Sequence, residues 1–106
     1  MRESTYAARV VKKLNGLFPG CVILKNDAEL QQGIPDRLLL WGRNWAMLEF
    51  KVDRSATKQP NQEYWIEYLG RMSFAAFIYP DNEEEVLHAL QQAFQPCGDA
   101  CLFERQ

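Results

Sequence analysis

Two short apolar runs, at residues 33–41 and 45–51, are separated by Gly42-Arg43-Asn44, and together they restrict what this chain can become. Neither run alternates cleanly between apolar and polar residues, so the pair reads as a β-hairpin whose strands are covered on both faces. Three ionisable residues interrupt that surface. Side chains alternate along the second strand, which puts Glu49 and Lys51 on one face and Phe50 on the other. A turn that pairs Arg43 with Asn44 sets residue 36 opposite residue 51 and brings Asp36 to the same face; a turn centred on Arg43 alone loses that register.

A buried Asp, Glu and Lys at one point need partners or a metal, because charges taken out of water are costly on their own. Two carboxylates on adjacent strands make a hard oxygen site suited to Mg²⁺ or Mn²⁺, with a substrate phosphate completing the coordination. Lys51 stands one strand step from Glu49, where an ammonium can polarise an attacking water or meet charge growing on phosphorus. The pattern points to metal-assisted phosphodiester hydrolysis.

Pro35-Asp36, twelve intervening residues, then Glu49-Phe50-Lys51 resembles the signature of the PD-(D/E)XK nuclease superfamily. Gly33-Ile34-Pro35-Asp36, the Glu49-Phe50-Lys51 strand and Gln62-Glu63-Tyr64-Trp65 at a helix start are together similar to small stand-alone virus-type replication-repair nuclease (VRR-NUC) proteins, over roughly residues 3–90. The resemblance implies a restriction-endonuclease-like core and a Mg²⁺ or Mn²⁺ ion held by Asp36, Glu49 and the Phe50 carbonyl. It makes Lys51 the residue that positions the water and Gln62 a member of the active site. Glu3, on the first helix, resembles the acidic residue that assists the metal in many of these nucleases. The implied substrate is DNA, with structure-selective cutting of branched forms such as four-way junctions, in repair or recombination, by homodimers that cut two strands.

The 106 residues leave room for a single domain, 1–106, and a hydrophobic content of 47% is enough for a core. No stretch approaches the length of a membrane span and the N-terminus has no signal-peptide pattern, so the expectation is a cytoplasmic protein. The net charge of −2 conceals an asymmetry: residues 1–71 carry 11 Lys or Arg against 8 Asp or Glu, and residues 72–106 carry 1 against 6. Cys21, Cys97 and Cys101 form no Cys-x-x-Cys pair and the chain has one His, which favours reduced thiols over a zinc site.

In order along the chain, residues 4–18 read as a helix with Ser4 as N-cap and Ala7, Val10, Leu14 and Leu17 as its inward stripe. A first strand follows at 21–25, and residues 26–32 form a loop in which Asp27 and Glu29 lie just before the proposed site. Arg54 and Lys58, with the backbone N–H groups of a helix beginning near Pro60, offer an anion site for a DNA phosphate; the other reading is a solvated loop capped by Thr57. Gln62 places a polar amide in line with the stripe of Trp65, Ile66 and Leu69. Gly70 is expected to end that helix, and the apolar run 74–79 to form a strand parallel to the one before it. Asp81 or Asn82 then caps a last helix with a solvated acidic start at Glu83-Glu84-Glu85 and a packed face of Val86, Leu87, Leu90, Ala93 and Phe94. His88 falls off that stripe. The tail, 95–106, has no assignment, although Cys101-Leu102-Phe103 suits an edge strand or a contact with a second subunit.

The expected architecture is α/β, in the order α-β-β-β-α-β-α, with a central mixed sheet flanked by helices. Two other readings remain open from the residues alone. One is a catalytically inactive nuclease-fold module that binds DNA or a partner protein; the other is a structural salt bridge among Asp36, Glu49 and Lys51 in an unrelated α/β domain.

Overall fold

The computed structural model describes residues 1–94 and has, in order, α1 (Glu3–Leu17), β1 (Val22–Lys25), β2 (Arg37–Trp41), β3 (Asn44–Phe50), α2 (Gln62–Met72), β4 (Phe74–Ile78) and α3 (Glu83–Ala93). The readings of Cys97, Cys101 and Leu102-Phe103 lie outside the described residues. The strands make one mixed sheet in the order β1-β2-β3-β4, with β1, β2 and β3 antiparallel and β4 parallel to β3 through the α2 crossover.

The hairpin closes one step earlier than the sequence reading places it. Trp41 pairs with Asn44, so the turn is Gly42-Arg43, and Gly42 takes the left-handed φ of +61° that a glycine adopts without strain. Relative to a turn pairing Arg43 with Asn44, the register slips by two residues. An even slip preserves the face of every side chain, so Asp36 still joins Glu49, but it now projects opposite Glu49 rather than Lys51.

The two faces of the sheet differ. Leu39, Ala46, Leu48, Phe50 and Ile78 point to one side, where Tyr6, Val10 and Leu14 of α1 and Leu87 and Leu90 of α3 complete a core. The Tyr6 ring meets Phe50 edge-on, and Phe18 joins the far end by contacts with Trp41 and Phe94. On the other side α2 packs chiefly over β4 and, less, over β3. Val22, Leu24 and Leu40, which share this side, stay 36–49% exposed, so β2 is not covered on both faces as the hairpin's composition suggests, and β1 shares its bare face.

Local differences have local causes. α1 begins at Glu3 with Arg2 at its N-cap, Leu17 is exposed, and Tyr6 takes the inward position. α2 starts at Gln62 after Asn61, whose left-handed φ of +71° suits an asparagine, and Thr57 does not cap it. It also runs through Gly70 to Met72, where a Cβ on residue 70 would meet Ala75 of β4 at an ordinary contact distance of 3.8 Å, so the glycine does not end the helix. Ala93 is exposed, and the Asn82 side chain binds the Tyr79 N–H and the Phe77 carbonyl. The acidic start of α3 is not all solvated: Glu83 is 9% exposed and accepts hydrogen bonds from Tyr6 and Lys13.

Candidate metal centre

Where β2 begins and β3 ends, the hairpin gathers its carboxylates. Asp36 precedes β2 and sits across from Glu49, and each secures the other's strand: Glu49 Oε1 accepts the Asp36 N–H at 3.1 Å and Asp36 Oδ2 accepts the Phe50 N–H at 3.2 Å. Asn26 fixes Asp36 from the other side, donating its own N–H to the Asp36 carbonyl and its side-chain amide to the Pro35 carbonyl, both at 2.8 Å. Glu3 arrives from the first turn of α1. One carboxylate oxygen each from Glu3, Asp36 and Glu49 lies within 4.8 Å of the other two.

Lys51 and Gln62 approach Glu49 from behind. The Lys51 ammonium is 3.9 Å from Glu49 Oε2, donates to the Thr57 carbonyl at 3.1 Å, and is 5% exposed as a residue. Gln62 donates to Glu49 Oε2 at 3.0 Å, and its own oxygen accepts the Gln59 N–H at 2.8 Å, which orients the amide. Burial pushes the Glu49 carboxyl up to about 8, the neighbouring Asp36 charge adds to that, Lys51 opposes it, and Glu3 contributes a further rise.

The oxygen set fits a small hard cation. Ligands 2.0–2.1 Å from Mg²⁺ stand about 3 Å apart when cis and about 4.2 Å apart when trans, so oxygens separated by up to 4.8 Å would draw in around a single ion. Two clefts meet at the cluster: one of about 160 Å³ lined by Glu3, Lys25, Asp36, Arg37 and Phe50 among others, and one of about 410 Å³ running along Lys25, Asn26, Asp27, Glu29 and Asp36. Asp36 is therefore open to a ligand from two directions while Glu49 and Lys51 are buried behind it.

No protein-family model, curated protein or solved structure matches this chain. What the site can do rests on its own geometry.

The structure brings together Glu3, Asp36, Glu49, Lys51 and Gln62. At Phe50 it records the N–H, bound by Asp36, and the carbonyl follows between Glu49 and Lys51. Arg54 and Lys58 do not join the cluster: their cationic groups lie over the rings of Tyr79 and Phe77, at 5.8 and 5.1 Å, in the loop whose Thr57 carbonyl holds Lys51. Asp27 accepts the Glu29 N–H and both line the larger cleft rather than the carboxylate cluster. Sequence reasoning misses Lys25, which lines both clefts, and Asn26, whose supporting role depends on a backbone approach ten residues along the chain. One signal was in reach. Gly33 has φ +84°, and a Cβ there would lie 2.6 Å from the Pro60 carbonyl, so its glycine marks the close seat of the 26–36 loop on the start of α2.

Proposed function

We propose that this protein is a Mg²⁺- or Mn²⁺-dependent endonuclease acting on DNA, built on the restriction-endonuclease-like core that its resemblance to the PD-(D/E)XK and VRR-NUC nucleases implies. The observation that carries the reading is the meeting of Glu3, Asp36 and Glu49 oxygens within 4.8 Å, with the Lys51 ammonium 3.9 Å from Glu49.

Asp36, Glu49, the Phe50 carbonyl and Glu3 would hold the ion, which supplies Lewis acidity toward a phosphoryl oxygen and lowers the pKa of a water. Lys51, fixed between Glu49 and the Thr57 carbonyl, is placed to orient the water that attacks phosphorus and to offset the charge that grows there. Gln62 keeps Glu49 Oε2 turned toward Lys51, leaving Asp36 facing the clefts where a phosphodiester enters. Arg54 and Lys58 extend positive charge along the neighbouring loop for the DNA backbone. No base-reading helix is apparent among the described residues, which favours recognition of DNA shape over sequence, branched DNA included.

The alternative, an inactive nuclease-fold module binding DNA or a partner protein, draws support from the structural duty of Asp36 and Glu49, which close the hairpin mouth through backbone bonds. A panel of junction, flap, duplex and single-stranded DNA separates the two. The expected result is cleavage of at least one substrate in Mg²⁺ or Mn²⁺, abolished by chelation and by Lys51→Ala; binding without cleavage across the panel supports the module instead.

A further inference from the structure

Lys25 and Arg37 have no part in the chemistry above, yet both line the smaller cleft, of about 160 Å³, together with Glu3, Asp36 and Phe50. They are direct partners across the β1–β2 ladder, so their side chains leave the sheet on the same face. Like charges opposite one another on neighbouring strands are destabilising, and a carboxylate within reach of both would relieve them. The fold supplies none. Lys13 pairs with Glu83 and Lys51 with Glu49, but among the described residues neither Lys25 nor Arg37 has a carboxylate partner.

The two cations are held differently. Arg37 is half-buried, its guanidinium 5.7 Å from the centre of the Phe50 ring and 3.5 Å from the Asp36 carbonyl. Lys25 is exposed and stands where the two clefts meet. The clefts also differ in charge. Beyond Lys25 the larger one carries Asp27 and Glu29 as well as Asp36, which repel an anion, whereas the smaller sets two cations beside Asp36 and Glu3.

We infer that Lys25 and Arg37 form a seat for a backbone phosphate of DNA, and that the strand reaches the carboxylate cluster through the smaller cleft rather than along the 26–29 loop. The inference rests on the proposed function and adds to it two substrate-holding residues and a path. A guanidinium offers donors in a fixed plane and an ammonium a mobile point charge, two complementary ways to grip phosphate oxygens. A phosphate between them relieves the repulsion of the cations, as a divalent ion relieves that of the three carboxylates. Arg37 directly follows Asp36, which ties the seat to the cluster through a single peptide link.

Fluorescence anisotropy with labelled junction, duplex and single-stranded DNA, with Ca²⁺ in place of Mg²⁺, reads binding without reading cleavage. Lys25→Gln and Arg37→Gln are each expected to raise the dissociation constant at least about fivefold and to reduce the slope of log affinity against log salt by about one, the mark of a lost phosphate contact. Lys25→Arg keeps the affinity within about twofold, and so does Lys12→Gln, which removes an exposed cation that lines neither cleft. The Lys25→Gln melting temperature does not fall, since the substitution relieves repulsion with Arg37, so its weaker binding is not a loss of fold. Equal weakening by Lys12→Gln, unchanged salt slopes in both cleft variants, or a wild-type chain that binds none of these DNAs overturns the assignment. Binding that depends on Lys25 and Arg37 without cleavage in Mg²⁺ upholds it while removing the hydrolytic reading; cleavage with both variants binding as wild type does the reverse.

Discussion

Two buried glutamates in this fold are treated in opposite ways. Glu83 is 9% exposed and meets cationic Lys13 and the Tyr6 hydroxyl; burial alone would raise its pKa, but these partners prevail and hold the carboxyl below its ordinary value. Tyr6 is pushed upward in turn, by burial and then by the bond to Glu83. Glu49 is 3% exposed and faces Asp36 and Glu3, with Lys51 as its one countercharge, and it rises to about 8. Glu83 is satisfied and ties α1 to α3. Glu49 sits in repulsion that a divalent cation would relieve, which is the electrostatic condition of a site built for a ligand.

The sharpest way to break this contrast is activity. Asp36→Asn is expected to lower cleavage at least about 10²- to 10³-fold with the fold retained, whereas Glu83→Gln stays within about threefold and instead lowers stability by about 1–3 kcal/mol, the cost of losing charged hydrogen bonds. Turnover and urea unfolding measured on both variants check it; a folded, inactive Glu83→Gln protein would show that the two glutamates do not divide the work in this way.

Metal should separate them next. Mg²⁺ or Mn²⁺ at about 100 times its dissociation constant stabilises a protein that binds it only when folded by about 2.7 kcal/mol. Thermal melts are expected to move upward by several degrees in wild type and Glu83→Gln and to stay put in Asp36→Asn. A divalent ion that leaves the wild-type melt unchanged sinks the metal site and favours the structural salt bridge.

The pH dependence differs in sign between the two residues. Glu49 is neutral in both states below pH 4.5; from there to about pH 8 the unfolded chain has lost a proton that the folded one keeps, so its contribution to stability falls as pH rises and levels off above about 8. Glu83 runs the other way: its contribution is present above the ordinary carboxyl value of 4.5 and is lost as pH falls through its lower folded value. Metal-free Glu49→Gln should therefore flatten the loss between pH 4.5 and 8, and Glu83→Gln the loss in acid, both read from unfolding free energies across pH. A Glu49→Gln profile parallel to wild type removes the electrostatic argument.

Much of this was legible in the residues, because period and punctuation act locally. The seven elements follow from apolar spacing and turn residues, and strand alternation put Asp36, Glu49 and Lys51 on one face even with the turn displaced, since a two-residue slip changes the partner and not the side. Gln62 stood out as a polar residue on an apolar stripe. No membrane-crossing helix is present among the described residues. The bare face of β1 and β2 was not legible, since the same apolar residues would be written whether or not a helix of this chain covered them.

The order of elements and the shared face of three charges were set by chain-local rules: hydrophobic period, glycine and proline placement, and the two-residue repeat of a strand. The arrival of Glu3 at the hairpin mouth, the two bonds that fix Gln62, the cations held over Tyr79 and Phe77, and the capture of Glu83 by Lys13 and Tyr6 were decided only by packing. Each depends on the distance and direction between elements far apart in the chain, and an acidic residue at a helix start is written identically whether folding carries it to a cation or to two other acids.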